Sequence, residues 1–179
     1  MSGEKVRVVH MTLSCESVDD TPAVRRLLDR AAIVEVQTRY ATGTDSRDWD
    51  LFRSCFTAEV EIDFSDGFGR PAVRLPAGEW VAATAPRMES FAATQHLIAN
   101  HVITFDGEHR ATCVASVLAS HHRPNPTGDS DLVVHGYYTN RFERTADGWR
   151  IAGVRLTPLW MTGNFGIMTS AMSSGTAAS

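Results

Sequence analysis

The sequence lacks the features that mark membrane, secreted and nucleic-acid-binding proteins. No apolar run approaches the roughly 20 residues that a membrane-spanning helix needs, and the N-terminal residues lack an apolar stretch followed by a cleavage site. The formal net charge of -4 offers no basic surface to a phosphate backbone, and the arginines are scattered along the chain. We therefore expect a cytoplasmic protein that binds neither membranes nor nucleic acid.

Cysteine is scarce, and the patterns of metal and nucleotide sites are missing. The chain has 3 cysteines, widely spaced and without a C-x-x-C pair, so reduced thiols are expected. Its 7 histidines show no spacing such as H-E-x-x-H, and the neighbours His121 and His122 would point to opposite faces of a strand. No glycine-rich phosphate loop occurs. The sequence therefore predicts that the protein uses no metal and no other cofactor.

The residues that are present describe an ordinary globular domain. Hydrophobic residues make up 43% and charged residues 21% of a 179-residue chain. That length suits one domain, because domains commonly contain about 100–150 residues. We expect an N-terminal extension at residues 1–19, one domain over residues 20–168, and a flexible, small and polar tail at residues 169–179. One principal site is expected.

Helical patterns occupy the first half of the chain. A capping side chain precedes Pro22, which is the usual start of a helix. Apolar residues then recur every four residues down to Tyr40, and Gly43 is expected to end this helix. A second, short helix is predicted over residues 46–52, and a third over about 78–91. The stretch between the last two helices contains a strand with alternating apolar residues, from residue 58, and then a loop.

The second half of the chain reads as a meander of long strands. They are predicted over residues 94–105, 110–122, 132–144 and 149–159, with turn residues between them. Helices followed by such strands predict an α+β fold, with three N-terminal-side helices on one face of a curved antiparallel sheet. The strand at residues 110–122 has small side chains on both faces. This leaves room for a pocket, unless large residues from the helices fill the space.

Three segments of the chain resemble the SnoaL-like branch of the nuclear-transport-factor-like superfamily. They are Arg39-Tyr40-Ala41-x-x-x-Asp45-x-x-Asp48-Trp49, Thr94-Gln95-His96-x-x-x-Asn100, and Tyr138-x-Asn140-Arg141-Phe142-x-Arg144 with Asp147-Gly148-Trp149. The resemblance implies that the α+β fold encloses a cone-shaped pocket. Within that branch the chain is similar to scytalone dehydratase, a bile-acid dehydratase and hexachlorocyclohexane dehydrochlorinase, which are lyases that need no cofactor.

The resemblance also implies roles for individual residues. Asp45 and His96 match the acid–base pair of those lyases, Tyr40 matches a catalytic tyrosine, and His121 matches a second active-site histidine. We expect these four residues to be catalytic. The substrate would be bound by five further residues, which are Asn100, Tyr138, Phe64, Arg155 and Trp160.

Some of these residues also have ordinary structural explanations. Aspartate after a helix often binds local backbone amides, and a single inward-facing histidine is more often a hydrogen-bonded core residue than a base. A bulge of one residue would turn Arg155 outward. Trp160 would serve equally well as part of an apolar lid or of a subunit interface.

Phe64 stands where scytalone dehydratase has a substrate-binding tyrosine, so scytalone itself is not the expected substrate.

An aspartate–histidine pair indicates proton transfer. A neutral imidazole oriented by a carboxylate can remove a C–H proton near a carbonyl or a leaving group. We expect a dehydratase-like lyase acting on a small cyclic, largely apolar substrate such as a steroid or polyketide. An isomerase or cyclase, a non-catalytic ligand-binding or assembly domain, and the small subunit of a ring-hydroxylating oxygenase stay open. The outer face of such a sheet usually needs cover, so a homodimer or homotrimer is expected.

Overall fold

The structure is a computed structural model that describes residues 21–169. Its helices are α1 (Pro22–Ser46), α2 (Trp49–Ser54), α3 (Ser65–Phe68) and α4 (Ala77–Glu89). Its strands are β1 (Phe56–Asp63), β2 (Val73–Pro76), β3 (Ala93–Asp106), β4 (Arg110–His122), β5 (Asp131–Thr145) and β6 (Gly148–Gly163). The predicted extension at residues 1–19 lies outside the described residues, as does the predicted tail beyond residue 169.

The strands form one open six-stranded sheet in the order β2-β1-β6-β5-β4-β3. Neighbouring strands are antiparallel except β1 and β6, which are parallel. The sheet is therefore mixed, whereas the sequence predicted an antiparallel one. The difference has a physical reason: no hairpin joins β1 to β6, and a long connection allows parallel pairing. The predicted α+β fold class is confirmed.

Helix α1 begins where predicted and ends later than predicted. The Thr21 side chain caps it by accepting a hydrogen bond from the backbone of Val24. Gly43 lies inside the helix. It is a glycine because α2 packs close to it: a Cβ there would come within 2.7 Å of the backbone nitrogen of Phe52. The helix ends only before Arg47, which has a φ of 62°. Asp45 consequently lies on the last turn of a helix and not in a loop.

Three bulges decide which residues of the long strands face inward. In β3 the register shifts around Asn100, whose φ is 57°. Thr94, His96 and Ile98 are at least partly buried before that point, and the odd-numbered residues are the buried ones after it. A second shift, at Ala152 in β6, turns Arg155 outward, and a third, at Leu159, turns Trp160 outward.

The core lies between the helices and the inner face of the sheet. Ring centroids of neighbours in a cluster of Tyr40, Phe52, Phe56 and Tyr138 are 5.0 to 6.0 Å apart. The segment predicted as a loop contains α3 and β2 instead. Within residues 21–169, no helix is long and apolar enough to span a membrane.

Candidate active site

A cavity of about 180 Å³ opens between the helices and the inner face of the sheet. Its walls are mainly aromatic and aliphatic, and they include Phe52, Ile62, Phe64, Phe68, Trp80, Met88, Val134, Leu156 and Met168. Polar side chains also reach it, from Tyr40, Thr44, Arg70, Thr84, Arg87, His96, His121 and Tyr138. An apolar enclosure with a few polar groups is the usual form of a small-molecule site.

Asp45 and His96 are in direct contact at the wall of this cavity. The Asp45 Oδ1 atom lies 2.7 Å from the His96 Nδ1 atom, and the Asp45 Oδ2 atom accepts a hydrogen bond of 2.6 Å from the His96 backbone N–H. β3 is an edge strand, so this backbone group would otherwise lack a partner on that side. The carboxylate thus occupies Nδ1, which leaves Nε2 of a cavity-lining imidazole for a ligand.

Thr94 and Arg47 hold the Asp45 carboxylate in place. The Thr94 hydroxyl donates to Asp45 Oδ1 at 3.0 Å and accepts from the Arg47 guanidinium at 2.7 Å. Arg47 also donates to the Thr44 carbonyl at the end of α1, at 2.7 Å. Sequence reasoning assigned no role to Thr94 or Arg47. The alternation in β3, which puts Thr94 on the same face as His96, was the signal that could have found the threonine.

The surroundings of Asp45 favour its ionised form. Burial alone would raise the pKa of this carboxyl, but the hydrogen bonds from His96 and Thr94 outweigh burial and lower the pKa below its ordinary value. Asp45 is therefore a carboxylate at neutral pH. A carboxylate on Nδ1 fixes the tautomer of the imidazole and stabilises the imidazolium that forms when Nε2 takes up a proton.

Tyr40 and Tyr138 present two phenols to the same cavity. Their ring centroids are 5.7 Å apart, and both side chains are almost fully buried. Burial raises the pKa of Tyr138 to about 12 and the pKa of Tyr40 well above its usual value. Both residues are thus neutral at pH 7 and able to donate an O–H hydrogen bond.

His121 faces the cavity on the inner side of β4, next to His96. The two imidazole centroids are 5.6 Å apart, and the rings are nearly perpendicular. Burial, with His96 nearby, lowers the pKa of His121 to about 4. His121 is consequently neutral at pH 7. A proton donor to a leaving hydroxyl would have to be an imidazolium, and His121 is not one at this pH.

Three predicted substrate-binding residues lie outside the cavity. Asn100 is exposed on the outer face at the β3 bulge, 3.5 Å from the Ser116 hydroxyl. Arg155 is turned outward by the β6 bulge and forms a two-pronged ion pair with Asp66. Trp160 is exposed and stacks on His135 at a centroid distance of 4.5 Å. Asn100, Arg155 and Trp160 therefore do not line the cavity, because a bulge in the strand turns each of them to the outer side.

A comparison with known protein families agrees with this arrangement. The profile of the SnoaL-like domain matches residues 25–155, well over half of the chain. The chain belongs to the SnoaL-like family. The matched residues include Asp45, His96 and the strands up to the first half of β6.

Relatives of this SnoaL-like chain include two proteins that are named as dehydratases or dehydratase-like. A scytalone dehydratase-like protein of Passalora fulva is 27% identical over 144 residues, which span 74% of this chain and 85% of the relative. A dehydratase of Pestalotiopsis microspora is 24% identical over 133 residues, or 70% of this chain and 84% of the relative. Both relatives match over most of their own length.

Solved structures share the fold of this SnoaL-like chain. A protein of Kribbella flavida superposes with a TM-score of 0.77 at 36% identity, covering 80% of this chain and 99% of that one. A hexachlorocyclohexane dehydrochlorinase of Novosphingobium barchaimii superposes with a TM-score of 0.66 at 18% identity, covering 80% and 95%. At 18% identity, the similarity to the dehydrochlorinase shows a shared fold and no more.

Sequence reasoning overlooked one side of this SnoaL-like pocket. Trp80, Thr84 and Arg87 of α4 line the cavity, although none of them belongs to the three segments that carried the resemblance. Their spacing of four and three residues, which puts them on one helix face, was the available signal. Across residues 21–169, no three histidine, cysteine, aspartate or glutamate side chains gather so as to hold a metal ion. The expected lack of a cofactor stays a prediction.

Proposed function

We propose that this SnoaL-like protein is a cofactor-independent lyase that eliminates water or a similar leaving group from a small cyclic substrate. The observation that carries the proposal is the 2.7 Å contact between Asp45 and His96 at the wall of an open, largely apolar cavity. A filled cavity would instead have favoured a non-catalytic binding or assembly domain. The dehydratases among the relatives support a lyase or isomerase type of enzyme.

His96 is the base in the proposed reaction. Its Nε2 atom takes a proton from a carbon next to a carbonyl, and Asp45 stabilises the resulting imidazolium through Nδ1. The same imidazolium then returns the proton to the departing oxygen as the C–O bond breaks. One residue serves both steps, which suits the neutral state of His121 at pH 7.

The two phenols stabilise the negative charge that develops on the substrate. When a C–H proton leaves, charge collects on the adjacent carbonyl oxygen, and preorganised donors in a dry site lower the energy of that state. Tyr40 and Tyr138 are buried, neutral and hydrogen-bonded to each other, so one phenol O–H of the pair stays available to donate a hydrogen bond there. Loss of one such donor typically costs about 10²–10³-fold in turnover.

The size of the cavity favours a small substrate. Its volume of about 180 Å³ is below the range of about 300–1,000 Å³ that is usual for drug-sized ligands. One or two rings suit this space better than the four rings of a steroid. Within the substrate class predicted from the sequence, a small aromatic polyketide fits best.

Isomerisation is the second candidate. Both reactions begin with the same proton abstraction, and they differ in whether the enolate expels a leaving group or is reprotonated at another carbon. The pKa of His121, lowered to about 4, leaves one proton carrier in the cavity, and a single carrier suffices for isomerisation. Release of water or halide by the substrate distinguishes the two reactions.

The test is turnover by dyad variants on a substrate found by screening cyclic hydroxy-ketones. His96→Ala removes the base, and Asp45→Asn favours the wrong imidazole tautomer, so each is expected to lower turnover by about 10²-fold or more. The double variant should lose little more than either single one, because the two residues act as one unit. Tyr40→Phe should cost about 10²–10³-fold if its phenol is an oxyanion donor.

The matched control is His122→Ala. His122 is the next residue along β4, and its side chain is on the exposed side of the strand, paired with Asp131. This variant should keep wild-type turnover. Circular dichroism establishes that each variant is folded. Wild-type turnover in a folded His96→Ala variant would refute the proposed role of the dyad.

A further inference from the structure

Helix α4 presents a polar stripe to the cavity. Trp80, Thr84 and Arg87 are spaced by four and three residues, which puts them on one face of the helix. All three side chains line the cavity that His96 also lines. None of them has a part in the proton transfer proposed above.

Each residue of this stripe holds a buried polar atom without a partner. Within residues 21–169 nothing hydrogen-bonds the Trp80 Nε1, Thr84 Oγ1 or Arg87 Nε atoms. The indole and guanidinium groups can only donate, and the hydroxyl can donate as well. Unmet donors in a buried position are costly and uncommon in native proteins. Three on one face therefore indicate that an acceptor comes from outside the chain.

The charge of Arg87 specifies the kind of acceptor. In the part of the chain that the structure describes, Arg144 and Arg155 pair with aspartates, whereas the Arg87 guanidinium has no carboxylate partner. The titratable groups near it are the neutral phenols of Tyr40 and Tyr138, the neutral imidazole of His121 and a second cation, Arg70. Its ring contact, 5.7 Å above Trp80, does not neutralise it. An unpaired, largely desolvated cation favours an anionic ligand.

We propose that Arg87, with Thr84 and Trp80, binds an anionic oxygen group of the substrate, a carboxylate or phenolate. This inference rests on the lyase proposed above and narrows its substrate class to cyclic acids. Guanidinium is suited to this task, because its planar fork can donate two parallel hydrogen bonds to a carboxylate. The anion would hold the ring of the substrate in a fixed orientation toward His96.

The experiment compares two probes of similar shape, 2-naphthoate and its methyl ester. Binding is followed near pH 7 by calorimetry or by quenching of tryptophan fluorescence, since Trp80 lines the cavity. The wild type should bind the carboxylate about tenfold or more tightly than the ester. Arg87→Met should abolish that preference, and Arg87→Lys should restore part of it, because a point charge remains without the fork.

The matched control is Arg74→Met, which also removes one positive charge. Arg74 lies on β2 with a side chain that is 68% exposed, paired with Glu59. The Arg74→Met variant should keep the preference for 2-naphthoate over its methyl ester. It would overturn the proposal if the wild type showed no preference, failed to bind 2-naphthoate, or kept its preference in folded Arg87→Met. Loss of the preference in Arg70→Met together with its survival in Arg87→Met would also overturn it, by assigning the anion to the other arginine of the cavity.

Binding and turnover separate this inference from the proposed lyase. His96→Ala should keep the preference for 2-naphthoate while losing turnover. If the wild type shows no preference but His96→Ala abolishes turnover, the anion site fails and the lyase stands. If folded His96→Ala turns over normally while the preference depends on Arg87, the dyad fails and the anion site stands.

Discussion

Several hydrogen bonds fix each member of the dyad, so its geometry depends on residues that do not touch the cavity. Asp45 accepts from the His96 ring, the His96 backbone and the Thr94 hydroxyl. Thr94 in turn accepts from Arg47, the residue that ends α1. Groups of this kind act by positioning, because they limit the rotation of the carboxylate that orients the imidazole.

Thr94 supplies a test of this positioning. Thr94→Val keeps the shape but removes the hydroxyl, so Asp45 loses one donor and Arg47 loses one acceptor. We expect turnover to fall about tenfold, in line with the usual net value of one hydrogen bond, and Thr94→Ser to restore most of it. The measurement is turnover at saturating substrate for both variants. Wild-type turnover in the valine variant, with a loss in the serine variant, would mean that the methyl group and not the hydroxyl matters.

His121 makes the stability of the fold depend on pH. Its pKa is lowered from 6.5 to about 4 in the folded protein, so between these values the unfolded chain binds a proton that the folded one does not. The free energy of unfolding therefore falls as the pH falls from about 6.5 to about 4, by roughly 3 kcal/mol. The stabilisation is fully present above that window.

Denaturation of His121→Gln should reveal this component. Glutamine does not titrate, so the free energy of unfolding should fall less steeply with decreasing pH than in the wild type, by up to roughly 3 kcal/mol over the window. Urea titrations at several pH values between about 4 and 7 measure both proteins. Parallel curves for the two proteins would show that His121 is not buried in its neutral form.

The elements show where sequence patterns sufficed and where they did not. β4, at Arg110–His122, has the predicted bounds because it lacks a bulge and alternates throughout. The predicted end of α1 was too early, because Gly43 was read as a helix terminator. The glycine instead allows close packing against Phe52 of α2, and a contact between two elements leaves no mark in the local sequence. The side chains of β3 and β6 changed face at bulges that no local pattern marks. The contact between Asp45 and His96 could therefore be predicted from a family resemblance, whereas the placement of Asn100 and Arg155 outside the cavity could not.

Asn100 is expected to matter for the shape of β3. Its φ of 57° is in the left-handed region, which asparagine tolerates and β-branched residues do not. Asn100→Val should lower the free energy of unfolding by about 1–2 kcal/mol, whereas Asn100→Gly should be nearly neutral because glycine adopts this conformation freely. Chemical denaturation measures both. Equal destabilisation by valine and glycine would indicate that the contact with Ser116, and not the backbone, is what counts.

At the scale of the molecule, the outer face of the sheet exposes apolar side chains beside a free edge strand. The edge strand β3 is long and pairs on one side only, with β4. Leu97, Val102 and Val114 are 54%, 64% and 38% exposed on its outer side, and Val102 and Val114 are direct cross-strand neighbours. Exposed apolar side chains at a free sheet edge favour association. Trp160 is a further exposed apolar side chain, on β6.

We predict that the protein forms a homodimer or homotrimer through the outer face at β3 and β4. Val102→Glu puts a charge at the centre of that surface, and burying an unpaired charge is costly, so this variant should become a monomer while its circular dichroism stays unchanged. Sedimentation at micromolar concentration measures the mass of each protein. Leu28→Glu is the control, because Leu28 is 57% exposed on α1, which packs on the inner side and not on the outer face of the sheet, and this variant should assemble like the wild type. A stable wild-type monomer at that concentration would refute the prediction, and dissociation by Leu28→Glu with assembly retained in Val102→Glu would place the interface on the helix instead.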